Sequence, residues 1–434
     1  MNADQALSRP APAPASTAMQ GVTPGLSYGL LGLPLAFVAL PLYVQLPPHY
    51  ASTYGVPLAS LGLLLLAVRV LDALVDPGIG RLVDRLLDAP AGWRLAAAGG
   101  AATALALAFH ALFFPRVEGT GPLLAWAGIT LTAACLGYSG LSVLHQAWGA
   151  RLGGDPTARA RVVAWREGAG LLGVVTASVL PGVLGLGAAA AALAATLALG
   201  VMALRFAPAP QPMETPSDEP SVWVPWQWHG FRRLLGLYLL NGVASALPAT
   251  LVLFYIRDRL QWPGGEPWLL GLYFCAAAVS LPVWVRLIAR LGLARAWAAG
   301  MGLSIVSFAG AAVLGPGDGA WFAAVCAASG LALGADLCVP PAMLAGELRQ
   351  PGRHADGVAF GWWHATTKLN LALAAGVALP LLQWLGYQPG QADPAGQQAL
   401  ALVYALLPCA LKLAALAALW LGWIRHREYL ETST

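Results

Sequence analysis

Charged side chains are scarce in this sequence: they make up 10% of its 434 residues, whereas 58% are hydrophobic. A soluble domain usually carries about 25% charged residues, because its surface must be hydrated. A chain this apolar could not cover a water-exposed surface, which excludes a soluble globular protein. The net charge is only +4, so the composition gives no reason to expect a nucleic-acid partner.

Cysteines are also few, and none belongs to a metal-binding or disulfide pattern. All five lie in apolar stretches without a Cys-x-x-Cys pair: Cys135, Cys275, Cys326, Cys338 and Cys409. We therefore expect small buried side chains here and neither a metal site nor a cofactor. The sequence also lacks a nucleophile–base pairing and a phosphate-binding glycine loop outside helices, so we expect no catalytic residue and no enzyme.

Long apolar segments are what the sequence does have. An α-helix needs about 20 mostly apolar residues to cross a bilayer. Segments that meet this length fall in two groups of six: 26–46, 58–82, 94–115, 122–146, 166–185 and 187–207, then 231–256, 267–290, 294–314, 320–346, 357–386 and 397–424. We therefore predict an all-α integral membrane protein with twelve transmembrane helices in two six-helix bundles.

Stretches of different composition flank and divide these groups. Residues 1–25 are rich in Ala, Pro and Ser and lack the apolar core of a signal peptide, which predicts a disordered cytoplasmic tail. Residues 208–230 are the longest polar, proline-rich stretch after that tail and predict a cytoplasmic linker. The predicted bundles are then 26–207 and 231–424, with a second cytoplasmic tail at 425–434.

The charges of the predicted loops indicate an orientation. If both termini are cytoplasmic, the outer loops hold only Arg116, Arg257 and Arg259, and the inner loops and tails hold most of the remaining Lys and Arg. This asymmetry follows the positive-inside rule. We therefore predict a multi-pass protein of the cell (inner) membrane with both termini cytoplasmic. We also expect it to be a monomer surrounded by the lipid bilayer.

Three charges recur on one stripe of predicted helix 2. Arg69, Asp72 and Asp76 are three and four residues apart, which places them on the same face. Each would cost at least ~2.5 kcal/mol at the centre of a membrane helix, so each needs a partner or a function. Two carboxylates one turn apart can share a small cation or hold a proton. The structural alternative is that Arg69 neutralises Asp72 and that Asp76 caps a bend at Pro77.

Lys368 is a further deep charge, in predicted helix 11. Together with Arg69 it balances Asp72 and Asp76, and a bound cation could displace it from the carboxylates; a static salt bridge is the alternative. Asp336 and Lys412 are also deep, but the sequence gives them no defined role. Polar and aromatic residues at membrane depth are candidates for a substrate cavity: Tyr28, Tyr138, His145, Gln146, Asn241, Trp363, His364 and Thr367.

The sequence from Arg69 to Arg85, RVLDALVDPGIGRLVDR, resembles a motif of a known family. The motif is R-x-x-D-A-x-x-D-P-x-x-G-x-x-x-D-R of the glycoside–pentoside–hexuronide:cation symporters, which belong to the major facilitator superfamily and include melibiose permease. Two later stretches resemble the same family in the same order, one from Asp155 to Arg166 and one from Pro341 to Lys368. The resemblance covers residues 26 to about 390.

The resemblance implies two six-helix bundles that work by alternating access. It implies a site for sodium, lithium or a proton at Asp72 and Asp76, with Arg69 and Lys368 in the same coupling network. It also implies a cytoplasmic gate of salt bridges, to which we assign six residues: Asp84, Arg85, Arg159, Arg166, Glu347 and Arg353.

The acids that bind the sugar in melibiose permease are missing here. Helix 1 has the apolar run Leu33-Pro-Leu-Ala-Phe37 in that region, and the matching position on helix 4 is Leu144. Coupling could therefore be retained with a different substrate. We predict cation-coupled (Na⁺ or H⁺) symport of a small organic solute, with a sugar or glycoside as the favoured substrate. A lysolipid or lipid-intermediate carrier and a proton-driven exporter remain alternatives, and mid-membrane charges argue against a receptor or scaffold.

Overall fold

The computed structural model describes residues 21–211, 221–387 and 393–425. Nine helices in this described part are long and apolar enough to cross a membrane. Two of them are helix pairs, because the backbone turns at Gly185 (φ 81°) and at Gly292 (φ 77°), a conformation that favours glycine. A further helix, Leu58–Asp88, is as long as a span but carries more charge. These elements together give twelve crossings, which confirms the predicted all-α, twelve-helix membrane fold.

We number the crossings α1 to α12. The first six are α1 (Val22–Leu40), α2 (Leu58–Asp88), α3 (Ala91–Phe113), α4 (Thr120–Ala150), α5 (156–184) and α6 (186–203). The last six are α7 (His229–Phe254), α8 (266–291), α9 (293–311), α10 (Gly319–Glu347), α11 (Asp356–Trp384) and α12 (Pro394–Ile424). Short π-helical turns follow α1 and α7 and interrupt α12.

The predicted terminal and linker segments are only partly described. Helix α1 begins at Val22, inside the predicted N-terminal tail, since its Pro24 lies in the first turn, where a missing N–H is tolerated. A short helix, Val224–Gln227, lies inside the predicted linker. Residues 1–20, 212–220 and 426–434 of these segments lie outside the described residues, and the domain bounds remain predictions.

Three helix contacts hold the halves of the molecule together. Helix α2 packs along α11, and α5 packs against α8 and α10. The α2–α11 contact depends on glycine: a Cβ on Gly80 would collide with the backbone of Gly357, and one on Gly361 would lie 2.5 Å from the carbonyl oxygen of Asp76. This approach carries the acids of α2 to the polar face of α11.

Candidate functional site

The deep charges of α2 and α11 form one buried cluster. The Lys368 ammonium lies 2.6 Å from Asp72 Oδ2 and 2.8 Å from Asp76 Oδ2. It also donates a hydrogen bond to Ser139 Oγ of α4 at 2.9 Å, and Ser139 in turn donates to Asp72 Oδ1 at 3.0 Å. Asp72 is 3% exposed and Asp76 fully buried. The ammonium thus compensates the charge of two carboxylates that are buried at membrane depth.

The backbone explains why these groups meet. Asp72 and Asp76 are one helical turn apart on α2, so their carboxylates point to the same side. Gly361, two turns before Lys368 on α11, lets that helix approach the carbonyl of Asp76. Arg69 lies one turn before Asp72 and is partly buried. The cluster therefore brings together three of the residues predicted for the cation site and its coupling network, Asp72, Asp76 and Lys368, on two neighbouring helices.

A central cavity of about 260 Å³ lies beside this cluster. Its polar and aromatic lining comes from both halves of the protein: Tyr138, Ser142, His145, Gln146, Arg166, Glu167, Tyr238, Asp336, Trp363, His364 and Thr367. Two of the lining residues form an aromatic pair: the rings of Tyr238 and Trp363 stack with centroids 3.7 Å apart and an angle of 18°. The hydroxyl of Tyr238 is also hydrogen-bonded to Thr367 Oγ1 at 2.8 Å.

His364 joins the cavity to the charged cluster. Its Nδ1 lies 3.3 Å from Asp76 Oδ2, and its ring also lines the cavity, against the ring of Tyr138 (centroids 5.4 Å apart). A change of charge at Asp76 therefore acts directly on a side chain that a bound solute would touch.

Two carboxylates face the cavity from opposite halves. On α5, Glu167 Oε1 accepts from Arg166 NH2 at 2.6 Å. On α10, Asp336 Oδ2 lies 2.6 Å from the Lys412 ammonium, and Asp336 Oδ1 accepts from Trp297 Nε1 at 2.8 Å. Both acids are ion-paired, and each carboxylate keeps acceptor capacity for a hydroxyl group.

The structure places six of the eight predicted cavity residues in the lining: Tyr138, His145, Gln146, Trp363, His364 and Thr367. The other two lie behind it. Tyr28 is fully buried and donates to the carbonyl of His145 at 2.8 Å, whereas Asn241 donates to Asp336 Oδ1 at 3.1 Å. Both are supports of the wall, because their polar groups are already used by protein partners.

The halves are locked at the end of the molecule that carries Arg151, Arg159, Arg349 and Arg353, which we call the arginine-rich end. Asp84 of α2 caps the first turn of α11: its Oδ1 accepts from the Gly357 N–H at 2.6 Å and its Oδ2 from that of Val358 at 3.0 Å. A carboxylate satisfies free amides at a helix N-terminus and complements the helix dipole. Arg349 adds a second link, donating to the carbonyl of Ala150 at 2.5 Å.

Arg151 is the centre of this lock. Its Nε donates to Asp356 Oδ2 at 3.0 Å, its NH2 lies 3.4 Å from Asp84 Oδ1, and it is ion-paired with Asp88. The residue is 1% exposed. Burial disfavours its charge, but the surrounding carboxylates outweigh burial and raise the pKa of the Arg151 guanidinium above its usual value. A side chain that the sequence showed only as a loop charge thus joins both halves.

The remaining predicted gate residues have more varied positions. Arg159 packs across the interface, where a Cβ on Gly346 of α10 would lie 3.0 Å from its guanidinium. Glu347 and Arg353 are ion-paired at 2.5 Å, but both belong to the second half, so this pair does not cross the gate. Arg85 is exposed on α2. Arg166, predicted for the gate, lies instead in the cavity wall, because it is two turns further into α5 than Arg159.

Comparison with known proteins agrees with the twelve-helix fold and identifies the family. The family described as MFS/sugar transport protein matches residues 25–207 and 228–424. The inner membrane symporter YicJ of Escherichia coli (strain K12) is 25% identical over 232 residues, and the alignment spans 49% of each chain. Among solved structures, a bacterial homologue of the iron transporter ferroportin in an outward-facing state has a TM-score of 0.69 at 16% identity, covering 92% of this chain and 97% of that one. A variant of the E. coli fucose:proton symporter FucP has a TM-score of 0.65 at 14% identity, covering 91% of this chain and 99% of that one.

The chain belongs to the MFS/sugar transport protein family. It is therefore a multi-pass major facilitator transporter of a small molecule and not an enzyme. The resemblance inferred from α2 is confirmed at the level of the family. The chain spans about half the length of the symporter YicJ in this alignment, so the coupling ion and the substrate are proposed below.

Proposed function

We propose that this transporter is a symporter that couples the entry of a monovalent cation, Na⁺ or H⁺, to the uptake of a sugar or glycoside. The observation that carries the proposal is the Lys368 ammonium held between Asp72 and Asp76. A cation that enters this position meets carboxylate oxygens and the hydroxyl of Ser139, which suit a small hard cation, and a proton would neutralise one carboxylate. In either case Lys368 has to move away from the acids.

Coupling follows from the shared side chain His364. Cation binding changes the charge around Asp76, and His364 passes this change to the cavity because it touches both. A solute that contacts His364 therefore binds with a different affinity when the cation is present. By thermodynamic linkage the solute must change the affinity for the cation by the same factor, and symport requires that both affinities rise.

The cavity favours a small polyhydroxylated solute. It offers carboxylates and an imidazole for hydroxyl groups, and the stacked Tyr238 and Trp363 rings for an apolar face. Its volume of about 260 Å³ lies just below the usual range of ligand pockets, about 300–1,000 Å³. A long acyl chain does not fit such a small space, which argues against lysolipid as the cargo of this cavity. Glu167 and Asp336 could take the role of the sugar-binding acids that α1 and α4 lack.

The arginine-rich end is the cytoplasmic end if both termini are cytoplasmic, as the loop charges predict. The Asp84 and Arg151 contacts then close the cytoplasmic side, which corresponds to an outward-facing state. We propose that binding of both cation and solute loosens these contacts and opens the cavity to the cytoplasm, and that the protein does so as a monomer.

Uptake by proteoliposomes tests this function. The protein would be reconstituted and offered a panel of labelled monosaccharides and glycosides under an inward sodium gradient, an inward proton gradient, or neither. We expect one gradient to accelerate uptake of at least one sugar, and Asp76→Asn to remove that acceleration. Glu118→Gln is the matched control, because Glu118 is an exposed acid in the loop before α4. Sugar uptake at the same rate with and without either gradient, or solute export under a proton gradient, would overturn the proposal.

A further inference from the structure

A second groove opens on the outside of the helix bundle, apart from the central cavity. It has a volume of about 540 Å³ and lies between α1 and α5 of the first half and α8 of the second. Its walls are apolar and include Leu30, Leu33, Leu172 and Leu281, and Leu172 is 61% exposed. An exposed apolar wall on the perimeter of a membrane protein faces lipid.

Two arginines mark one end of this groove. Arg161 lies in the second turn of α5, and Arg286 lies 20 residues after the start of α8, about 30 Å along it. The start of α5 and the end of α8 are both at the arginine-rich end of the molecule. Within residues 21–211, 221–387 and 393–425, neither guanidinium has a hydrogen-bond or ion-pair partner, unlike Arg151 and Arg353.

The groove is separated from the central cavity by the seam between α1 and α5. Along this seam the helices touch through their backbones: a Cβ on Gly29 would lie 2.6 Å from the carbonyl oxygen of Trp165, and one on Gly32 or Gly173 would also collide with the facing backbone. A molecule in the groove is therefore a bound partner and not cargo in transit through the cavity.

We propose that this groove binds an anionic phospholipid of the inner leaflet, with its phosphate between Arg161 and Arg286 and an acyl chain along the apolar walls. Guanidinium groups pair well with phosphate oxygens, and basic pockets between membrane helices at the cytoplasmic side bind anionic headgroups. Two positive charges favour a headgroup with net negative charge over a zwitterionic one. Because Arg161 and Arg286 belong to different halves, the lipid bridges them while the arginine-rich end is closed.

If Arg161 and Arg286 bind the phosphate, the protein should prefer an anionic phospholipid to a zwitterionic one, and this preference should depend on both arginines. Purified protein in a neutral detergent would be supplied with phosphatidylglycerol or with phosphatidylcholine of the same acyl chains. Bound lipid would be counted by native mass spectrometry, and stability would be followed by thermal unfolding. We expect phosphatidylglycerol to be retained and to stabilise the protein more. In the double variant R161Q/R286Q its affinity should fall roughly tenfold, to that of phosphatidylcholine.

Three controls make the test decisive. Arg290→Gln removes an exposed arginine one turn beyond Arg286 that does not line the groove, and it should keep the preference. Ala169→Phe narrows the groove and should weaken both lipids. Soluble glycerol phosphate should compete poorly, since it lacks the acyl chain. Equal effects of the two lipids in the wild type, a preference that survives in the double variant, or binding of glycerol phosphate as tight as that of the lipid would each overturn the proposal.

Discussion

Removal of the Lys368 ammonium should make the transporter bind its coupling cation more tightly while making it less stable without that cation. In the wild type a cation has to displace an ammonium that lies 2.6 and 2.8 Å from the two carboxylates. In Lys368→Met this competitor is gone. A single charge-assisted hydrogen bond contributes about 1.5–3 kcal/mol, and about 1.4 kcal/mol is a factor of ten in affinity. We therefore expect the cation affinity to rise at least about tenfold.

The same substitution leaves two buried carboxylates without their compensating charge. Breaking a buried ion pair by removing one partner costs about 3–5 kcal/mol. Thermal unfolding in a choline chloride background should therefore show a marked loss of stability, which sodium or low pH restores as the cation fills the site. The titration of melting temperature against sodium, and against pH, gives the affinity directly.

Lys412→Met is the matched control for this prediction. Lys412 is also a buried lysine, paired with Asp336 at 2.6 Å, but it lies outside the α2–α11 cluster. Its loss should destabilise the protein to a similar extent without changing the cation affinity. An unchanged or weaker cation affinity in Lys368→Met would refute the displacement mechanism and leave the Lys368 contacts as a static salt bridge.

Two further predictions concern the cavity and the gate. If the proposed sugar binds in the cavity, Asp336→Asn and Glu167→Gln should each lower its affinity about tenfold, because one charge-assisted hydrogen bond is lost. Cation binding in the absence of solute should stay unchanged, and equilibrium binding of both ligands checks this. Gly357→Val should prevent closure of the arginine-rich end, since even a Cβ there collides with the Gly80 carbonyl oxygen. A cysteine placed at that end should then react faster with a membrane-impermeant thiol reagent applied from the side of the membrane that this end faces, and an unchanged rate would contradict the assigned gate.

The charged stripe of α2 could be found from the sequence because its physical signal is local. Arg69, Asp72 and Asp76 share one helix face. The free-energy cost of placing charged side chains in an apolar membrane segment distinguishes them from their neighbours. The predicted link to Lys368 depended on charge balance and on resemblance. The structure supplies the contact itself, through the glycine-mediated approach of α11 to α2.

Other site residues had no such local signal. Ser139 is one of many small polar residues in membrane helices, and only its place between Asp72 and Lys368 distinguishes it. Arg151 counted as one more cytoplasmic loop charge, although it is buried among three carboxylates from two different segments. Whether a charged residue just after a helix end is buried depends on how the helices pack. Hydrophobic periodicity in the sequence carries no information about that packing.

The position of Arg166 shows the same limit. The resemblance placed it in the gate beside Arg159, whereas the structure has it in the wall of the cavity, paired with Glu167. Seven residues along a helix amount to about 10 Å, which is enough to move a side chain from the surface of the membrane into the cavity. Depth along a helix depends on where that helix begins, and helix ends are the least certain part of a prediction from sequence.

The central claim is that Asp72 and Asp76 bind the coupling cation, and cation-dependent stability of the purified protein tests it most directly. Melting temperatures would be compared across sodium, lithium and pH, at constant ionic strength, for the wild type, Asp72→Asn, Asp76→Asn and the exposed-acid control Glu118→Gln. We predict that sodium or protons stabilise the wild type and Glu118→Gln, and that both aspartate variants lose this response. A response that persists in the aspartate variants, or the absence of any ion or pH response in the wild type, would contradict it.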